Sequence, residues 1–333
     1  MRVLVSGAAG FLGRHVVERL LERGHFVRAI VRPSSSPPEW KGNVEIWRAD
    51  LRVDGALEGA FTDIDVFVHL AAATSGNEDV QFASTVVGTE RALKAMASSS
   101  VERLVHISSL VVYDWDVARG EMNEETPLLT DFYRMGGYTI AKMWQERLVT
   151  RCSAKNDWQL TILRPGFIWG HEHAEIAGMG RGAGPIHIMF GPFTRLPLTY
   201  VRNCADCIAV AVEDPRASGQ IFNIVDDDEI RVWHYAREYV RRTKRSRWLL
   251  PIPYYFGLGV AWIAQLFSRS CFGSKGKLPS LLTPLRYQQQ FKPIRFGNGK
   301  LRKVLDWAAP IKFDHCLEET YSKARGDNHL GPA

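Results

Sequence analysis

The first thirteen residues constrain this chain more than any other stretch. The β-branched run Arg2–Ser6 predicts a strand, and residues 14–24 carry apolar side chains at helical spacing. Between them lies Gly7-Ala8-Ala9-Gly10-Phe11-Leu12-Gly13. Glycine has no Cβ, so the backbone amides of such a turn can approach a pyrophosphate at the positive end of a helix. The order strand, glycine turn, helix therefore predicts a dinucleotide site formed by Gly7, Ala9, Gly10, Phe11, Leu12 and Gly13.

The end of the second predicted strand bears on which dinucleotide binds. Arg32 follows the strand His25–Val31, with serines beside it and no carboxylate. An acidic residue here would hold the ribose hydroxyls, whereas an arginine accommodates a 2′-phosphate. We therefore expect NADP(H) to be preferred, with NAD(H) still possible; the alternative is that Arg32 only stacks on adenine. Asp50 follows the third strand, Val44–Trp47, in position to meet the adenine edge.

Alternating strands and helices indicate the fold class. Further strands are predicted at Asp65–Leu70 and Val101–Ile107, with a helix at Glu78–Ala97 between them. This alternation with short loops predicts an α/β protein with a doubly wound parallel sheet of the Rossmann type. Small residues at the end of the fourth strand would let the cofactor backbone pass close by: Ala71, Ala72 and Ala73.

Tyr138 and Lys142 open a predicted helix that reaches about Cys152. Their i, i+4 spacing puts the phenol and the ammonium on one helix face. A phenol has an unperturbed pKa of about 10, and nearby positive charge lowers that pKa. With Ser109 hydrogen-bonded to the substrate oxygen, this set suits the interconversion of an alcohol and a carbonyl, with hydride exchanged with the cofactor.

The combination of motifs is more specific than its parts. The chain resembles the extended short-chain dehydrogenase/reductase family, in the NAD(P)-dependent epimerase/dehydratase and 3β-hydroxysteroid-dehydrogenase-like group. The matching motifs run in order along nearly the whole chain: GAAGFLG at Gly7–Gly13, Asp50-Leu51, HLAA at His69–Ala72, SSLVVYD at Ser108–Asp114, YTIAK at Tyr138–Lys142, LRPGFIWG at Leu163–Gly170, YVRNCADCIAVAV at Tyr200–Val212, GQIFNIVDD at Gly219–Asp227 and RFGNGKLRKVLDW at Arg295–Trp307.

The resemblance implies roles for individual residues and a division of the chain. Tyr138 is the implied acid/base, Lys142 the lysine on the cofactor ribose and Ser109 the substrate-binding serine. The implied layout is a nucleotide domain at 1–165 plus about 196–225, and a smaller substrate-binding lobe at 166–195 and 226–333. It also implies cofactor contacts at Leu51, Pro165, Gly166 and Ile168. A homodimer through the helices Glu78–Ala97 and Tyr138–Cys152 is implied as well.

Three functions compete. The first is an NADP-dependent dehydrogenase or reductase for a hydroxyl or ketone of a hydrophobic or cyclic small molecule, favoured by the aromatic C-terminal region. The second is a nucleotide-sugar epimerase or dehydratase that retains its NAD(P). That group usually has glycine after the tyrosine, where this chain has Thr139. The third, a non-catalytic NADP-binding protein, has no need of Tyr138. Thr85 and Arg202 also depart from the family, which has asparagine and an acidic residue there.

The segment Gly170–Phe193 is glycine-rich and is predicted to be a mobile substrate loop. Its His171-x-His173 spacing lacks a further ligand cluster, and Cys204-x-x-Cys207 lacks a second pair, so we expect no metal site. Either Arg181 or Arg195 is a candidate for binding an anionic group of the substrate.

Net charge, cysteine content and an uncharged segment bear on partners and location. The net charge is +6, but no basic motif interleaved with aromatics predicts nucleic-acid binding. Five scattered cysteines and an N-terminal strand predict a cytoplasmic protein. The uncharged segment Trp248–Phe267 follows a basic run at Arg237–Arg247 and is broken early by Pro251 and Pro253. We expect a buried or partly exposed helix there; peripheral membrane contact is the alternative, and a transmembrane span is disfavoured.

Overall fold

The computed structural model describes residues 1–245, 248–272 and 278–327, and a seven-stranded sheet forms its centre. Its strands are β1 (Arg2–Ser6), β2 (Phe26–Val31), β3 (Val44–Arg48), β4 (Val66–His69), β5 (Arg103–Ile107), β6 (Gln159–Pro165) and β7 (Ile221–Ile224). All neighbouring pairs are parallel, in the order β7-β6-β5-β4-β1-β2-β3. This doubly wound order confirms the expected Rossmann-type α/β class.

The α-helices cover both faces of the sheet and build the C-terminal lobe. They are α1 (Phe11–Glu22), α2 (Glu78–Phe82), α3 (Gly88–Ala97), α4 (Gly137–Asn156), α5 (Val201–Glu213), α6 (Val232–Thr243), α7 (Tyr254–Phe272), α8 (Pro284–Phe291), α9 (Gly299–Leu305) and α10 (Phe313–Asp327).

Strand β1 shows how the sheet forms two cores. Successive side chains of a strand point to opposite faces, so Val5 packs beneath α1 and α5, against Ile208. Leu4 points the other way and packs with Val149 of α4. Because helices cover both faces, a continuous apolar run such as this one is the pattern a parallel strand requires.

The helix expected at Glu78–Ala97 is interrupted by a π-helical turn at Ala83–Val87, between α2 and α3. Oγ1 of Thr85 in this turn accepts a hydrogen bond from the Ala73 amide (3.0 Å), and Thr89 donates its hydroxyl proton to the Thr85 carbonyl (2.5 Å). Through Thr85, the π-helical turn therefore holds the segment that follows β4 in place. A regular 3.6-residue pattern could not have predicted this change of winding.

The segment Gly170–Phe193 is not the loop that its glycine content predicted. Strands at Arg181–Ala183 and Ile186–Phe190 form an antiparallel hairpin, and the second pairs in parallel with the strand Trp248–Ile252. His187 and Met189 are buried, whereas Ile186 is exposed. This alternation is that of a strand with one covered face, so the glycines mark turns within an ordered hairpin.

The division of the chain into a nucleotide domain and a lobe stays a proposal. Among the residues assigned to the lobe, α9 and Trp307 pack in the same core as β7 and α5. Nε1 of Trp307 donates to Asp206 of α5 (2.9 Å). This part of the chain therefore returns to the sheet after α8; residues 328–333 of the expected lobe lie outside the described residues.

Helix α7 buries Tyr254 but leaves most of its large side chains exposed. The rest of its covered face includes small residues such as Gly257 and Ala261, and a Cβ at Gly257 would lie 2.8 Å from Cζ of Tyr287 in α8. The exposed large residues form what we call the α7 patch: Tyr255, Phe256, Val260, Trp262, Ile263, Leu266 and Phe267. Within the described residues, no helix combines the length and apolarity needed to cross a membrane. Arg247 of the basic run lies outside those residues.

Candidate active site

The glycine turn after β1 has the backbone that a pyrophosphate requires. Gly7 has a φ of +71°, and the Gly10 amide donates to the Gly7 carbonyl (3.0 Å). A Cβ at Gly13 would overlap that carbonyl oxygen and lie 2.8 Å from Cα of Ala8. Gly10 is the N-cap of α1, and no side chain caps the helix there. The free amides of the first turn and the missing Cβ atoms fit a dinucleotide phosphate.

Every cofactor residue expected from the sequence lies at or beside the carboxyl edge of the sheet. Parallel strands all end at this edge, which brings together segments far apart in sequence. Asp50 and Leu51 follow β3, the alanines follow β4, and Ser109 follows β5. After β6, the Gly166 amide donates to the Ile224 carbonyl and to Thr199 Oγ1 (both 3.1 Å), which fixes the segment that continues to Ile168.

The edge beyond β2 and β3 carries more positive charge than Arg32 alone. Arg32 is exposed, and the Arg48 guanidinium donates to its carbonyl (3.3 Å) and to that of Ser35 (2.5 Å). Asp50 is ion-paired with Arg52 (2.7 Å), which together with the backbone amide of Arg52 lowers the pKa of this carboxyl. Arg48 and Arg52 were not among the predicted site residues; the signal for them was a cation at the end of β3 and another two residues after Asp50.

Ser109 and Tyr138 meet at the centre of this edge. Ser109 caps a 3₁₀ turn at Leu110–Val112, where its Oγ accepts from the Val111 amide (3.4 Å), and its hydroxyl lies beside the Tyr138 phenol. Burial raises the pKa of Tyr138, and the neighbouring Ser109 hydroxyl opposes the rise. The chain's own residues therefore keep the phenol protonated at neutral pH. The lowering of this pKa by positive charge stays a prediction for the complex with oxidised nicotinamide.

Lys142 is buried one helical turn after Tyr138 in α4. Burial lowers the pKa of Lys142 to about 7, and the Glu146 carboxylate opposes that change. Glu146 is itself in a buried ion pair with Arg164 of β6. Nζ of Lys142 donates to the Ile107 carbonyl (2.7 Å) and to Oε1 of Gln145 (2.7 Å). The ammonium is thus held at the end of β5, one helical turn from the phenol.

Gln145 connects Lys142 to a buried polar chain. Its Nε2 donates to the Ala71 carbonyl (2.9 Å) and to Oγ1 of Thr89 (2.8 Å). Because the Thr89 proton goes to a main-chain carbonyl, its oxygen must also accept from Nε2 of His69 (2.7 Å). Nδ1 of His69 then accepts from the Ser6 hydroxyl (2.7 Å). Burial, then the Lys142 charge, lowers the pKa of His69 to about 3, so the ring is neutral, as this chain requires.

Replacing Gln145 by methionine should reveal whether it positions Lys142. We expect stability to fall by about 1–3 kcal/mol, because buried partners are left unpaired. The Lys142 ammonium also loses an acceptor, so its pKa should fall and the limb of the pH–rate profile that reports its deprotonation should move to lower pH. Gln159→Met, at an exposed position on β6, is the matched control. A stability loss with an unmoved pH profile would assign Gln145 a structural role only.

Helix α8 closes the site from the side of the lobe. Nε2 of Gln289 donates to the Val111 carbonyl (3.1 Å) in the turn that Ser109 caps, and to Oγ1 of Thr139 (3.3 Å). Nη2 of Arg286 donates to the Met135 carbonyl (2.9 Å) just before α4. The sequence analysis missed both side chains, because the 150-residue separation of Gln289 from Thr139 leaves no local signal.

Other residues that the sequence suggested for binding a metal or an anionic group make different contacts in the structure. His173 stacks on Phe11 with ring centroids 4.1 Å apart, and Arg195 is paired with Glu229 (2.9 Å). Both cysteines of the Cys204–Cys207 pair are buried in α5, and burial raises the pKa of each thiol. Within the ranges that the structure describes, no group of three His, Cys, Asp or Glu residues is arranged to hold a metal.

Comparison with known proteins decides the family. The family model described as "NAD dependent epimerase/dehydratase family" matches residues 3–225. The chain belongs to this family. It is therefore an NAD(P)-dependent enzyme, and the resemblance seen in its motifs is confirmed. The match spans β1 to β7, which includes the glycine turn, Tyr138 and Lys142.

Curated relatives of this epimerase/dehydratase family member are dehydrogenases. A Mycobacterium tuberculosis protein named 3 beta-hydroxysteroid dehydrogenase/Delta 5→4-isomerase is 29% identical over 337 residues, covering 96% of this chain and 89% of the relative. A Mus musculus protein named sterol-4-alpha-carboxylate 3-dehydrogenase, decarboxylating, is 25% identical over 340 residues, covering 95% and 89%. Both alignments extend beyond the sheet and through most of the lobe.

Solved structures confirm the fold. A short-chain dehydrogenase/reductase superfamily protein from Agrobacterium tumefaciens, with bound NAD, has a TM-score of 0.71 at 22% identity and covers 98% of each chain. UDP-glucose 4-epimerase from Thermotoga maritima, with UDP-glucose, has a TM-score of 0.73 at 19% identity, covering 98% of this chain and 99% of its own. The fold of this epimerase/dehydratase family member is therefore shared across different activities.

Proposed function

We propose that this enzyme interconverts a secondary alcohol and a ketone on a hydrophobic or cyclic small molecule, with NADP(H) as its preferred cofactor. The observation that carries the proposal is the placement of the Ser109 hydroxyl beside the Tyr138 phenol, one helical turn from buried Lys142. A phenol that is protonated at neutral pH and lies beside a second hydroxyl is ready to bind a carbonyl oxygen. The glycine turn and the segment after β6 supply the cofactor site beside it.

In the reducing direction, the Ser109 hydroxyl donates a hydrogen bond to the substrate carbonyl oxygen. Tyr138 gives its phenolic proton to the same oxygen as the carbonyl becomes a hydroxyl. The bound nicotinamide supplies the hydride, or accepts it in the reverse reaction. In the oxidising direction, the phenolate of Tyr138 takes the proton from the alcohol. The Lys142 ammonium stabilises that phenolate, which links its own protonation to the pH dependence of the rate.

Arg32→Ala tests the preference for NADP(H). We expect NADPH binding to weaken about 10- to 100-fold, the loss of a charge-assisted hydrogen bond to the 2′-phosphate, with NADH binding nearly unchanged. The measurement is a titration of nicotinamide fluorescence with each cofactor. Arg195→Ala, in an ion pair of the lobe, is the control. Equal losses for the two cofactors would remove the 2′-phosphate role from Arg32.

The relatives support an apolar or cyclic substrate, since those named as hydroxysteroid and sterol dehydrogenases have names that fit this class. Helix α8, which reaches the Ser109 turn, is held in the lobe by a buried aromatic cluster of its Tyr287 and Phe291 with Tyr254 of α7.

A nucleotide-sugar epimerase or dehydratase is the second candidate, favoured by the structural similarity to a UDP-glucose 4-epimerase. Such an enzyme returns the hydride within one turnover and keeps its cofactor. The purified protein therefore distinguishes the two functions by what it carries. An empty site that binds NADPH tightly supports a cofactor exchanged in every cycle, whereas NAD that dilution fails to remove would favour the epimerase or dehydratase.

The homodimer and the cytoplasmic location stay proposals. The helices implied in the dimer pack against each other within one chain, since a Cβ at Gly137 of α4 would lie 2.8 Å from Glu78 of α2. The outer side of this pair exposes Val80 and Phe82, apolar side chains that suit a two-fold contact.

A further inference from the structure

The α7 patch leaves large apolar side chains in water along one whole face of a helix. Tyr255, Phe256, Ile263, Leu266 and Phe267 are 76%, 65%, 69%, 60% and 65% exposed. Single exposed apolar residues are ordinary, but a contiguous group of this kind marks a surface that contacts something other than water.

The spacing in α7 shows that the patch is a continuous stripe. Phe256, Val260, Ile263 and Phe267 follow one another at intervals of four, three and four residues, so they lie on one side of the helix. The helix has 19 residues and is about 28 Å long. Its opposite side, with small Gly257, packs closely on α8. The helix therefore lies along the surface of the lobe with its larger side chains outward, the orientation of an interfacial helix.

Neighbouring elements add exposed apolar side chains at the N-terminal end of α7. Leu250 is 46% exposed in the strand that leads into the helix. Phe193 is 75% exposed, two residues after Gly191, whose amide donates to the Ile252 carbonyl (2.8 Å). Hydrogen bonds link the segment after the hairpin and the strand Trp248–Ile252 next to the start of α7.

The segment of the chain around α7 contains positively charged residues and no negatively charged ones. Residues 239–305 contain fourteen lysines and arginines and no aspartate or glutamate. Lys244, at the end of α6, and Arg269, on α7, are exposed, and no carboxylate of the described residues is paired with either. Arg241 and Arg242 are paired with Glu238, and Arg245 with Glu175. The remaining excess of cations in this segment is complementary to an anionic surface.

We propose that the α7 patch docks on a bilayer containing anionic phospholipid, with α7 lying in the plane of the interface. Its apolar stripe enters the boundary between headgroups and acyl chains, and the surrounding cations meet the lipid phosphates. Tyr255 and Trp262 have the amphipathic rings that favour this depth. The proposal does not rest on the substrate or on the direction of hydride transfer.

Sedimentation of the full chain with vesicles tests the proposal. The vesicles contain phosphatidylcholine alone, or phosphatidylcholine and phosphatidylglycerol in equal parts. We expect the protein to sediment with the mixed vesicles, more weakly with the neutral ones, and less as salt is raised. Failure to bind the mixed vesicles at low salt would overturn the proposal.

A paired substitution locates the binding surface. Ile263→Glu with Phe267→Glu should weaken binding to mixed vesicles about 10- to 100-fold, since each variant places a charge where an apolar side chain would be buried. The matched control is Val53→Glu with Tyr133→Glu, at positions outside the patch that are 58% and 65% exposed. NADPH binding checks that each variant is folded. Equal vesicle binding by both double variants would contradict the proposal.

Tryptophan fluorescence gives a second measurement that does not depend on the glutamate variants. Lipids brominated in the acyl chain should quench part of the emission, and Trp262→Phe should remove much of that quenching. If the α7 patch instead packs against a second copy of the chain, light scattering will show a dimer. The double variant Ile263→Glu with Phe267→Glu will then dissociate that dimer. That result, without vesicle binding by the wild-type protein, would replace the bilayer with a subunit interface.

Discussion

Tyr138→Phe is expected to lower kcat about 10²- to 10⁴-fold while leaving NADPH affinity near that of the wild type. The substitution removes one oxygen, which lies beside the Ser109 hydroxyl, and keeps the aromatic ring at the start of α4. Without that oxygen, the site loses the group proposed to give a proton to the substrate oxygen or take one from it. The measurement is steady-state turnover, with cofactor titration on the same sample.

Tyr133→Phe is the matched control, because it loses the same atom from a side chain that is 65% exposed. Its turnover should equal that of the wild type. The position of Ser109 beside Tyr138 also predicts that Ser109→Ala lowers turnover through the same step. If Tyr138→Phe kept its turnover, another residue would have to be the acid/base, and the proposed chemistry would be wrong.

Gly13→Ala is expected to have the largest effect on the cofactor site. The added Cβ would overlap the Gly7 carbonyl oxygen and lie 2.8 Å from Cα of Ala8, so backbone atoms must move. Overpacking of this kind costs about 1–3 kcal/mol of stability. Displacing the amides of the turn should raise the Kd for NADPH about 10- to 100-fold, the loss of one or more hydrogen bonds to a charged group.

Gly299→Ala is the control for the added methyl group, since nothing lies within 4 Å of a Cβ at that position in α9. It should leave both stability and cofactor binding close to those of the wild type. Thermal unfolding and fluorescence titration measure the two effects separately. Unchanged NADPH affinity in Gly13→Ala would mean that the turn after β1 does not hold the pyrophosphate.

The sequence predicted the elements whose cause is local. The glycine turn and the Tyr138–Lys142 spacing depend on a few neighbouring residues, so the structure places them where the pattern indicated. The ends of the five predicted strands, β1 to β5, were placed within one or two residues, since β-branched runs and turn residues determine them; β6 and β7 were not predicted as strands. The carboxyl edge followed from the parallel topology, and it brought the expected cofactor residues together without any long-range information.

The features that the sequence did not predict depend on contacts between segments far apart in the chain. Gln145 lies three residues after Lys142, so the shared helix face was visible, but its link to Thr89 and His69 needs the packing of α4 on α3. For helix α7 the sequence predicted a buried or partly exposed helix, and the structure shows a partly exposed one, but the sequence did not show which face is covered. Tyr254 and small residues such as Gly257 and Ala261 form its packing face, and most of its larger side chains are exposed.

The most direct test of the proposed chemistry is net turnover of a cyclic substrate. Purified protein with NADP⁺ and a hydrophobic cyclic secondary alcohol, such as a 3β-hydroxysteroid, is followed by nicotinamide absorbance and by mass analysis of the product. We expect stoichiometric NADPH and ketone from the wild-type protein and none from Tyr138→Phe. An isomerised or dehydrated nucleotide sugar formed without net NADPH, from a protein inert toward cyclic alcohols, would contradict it.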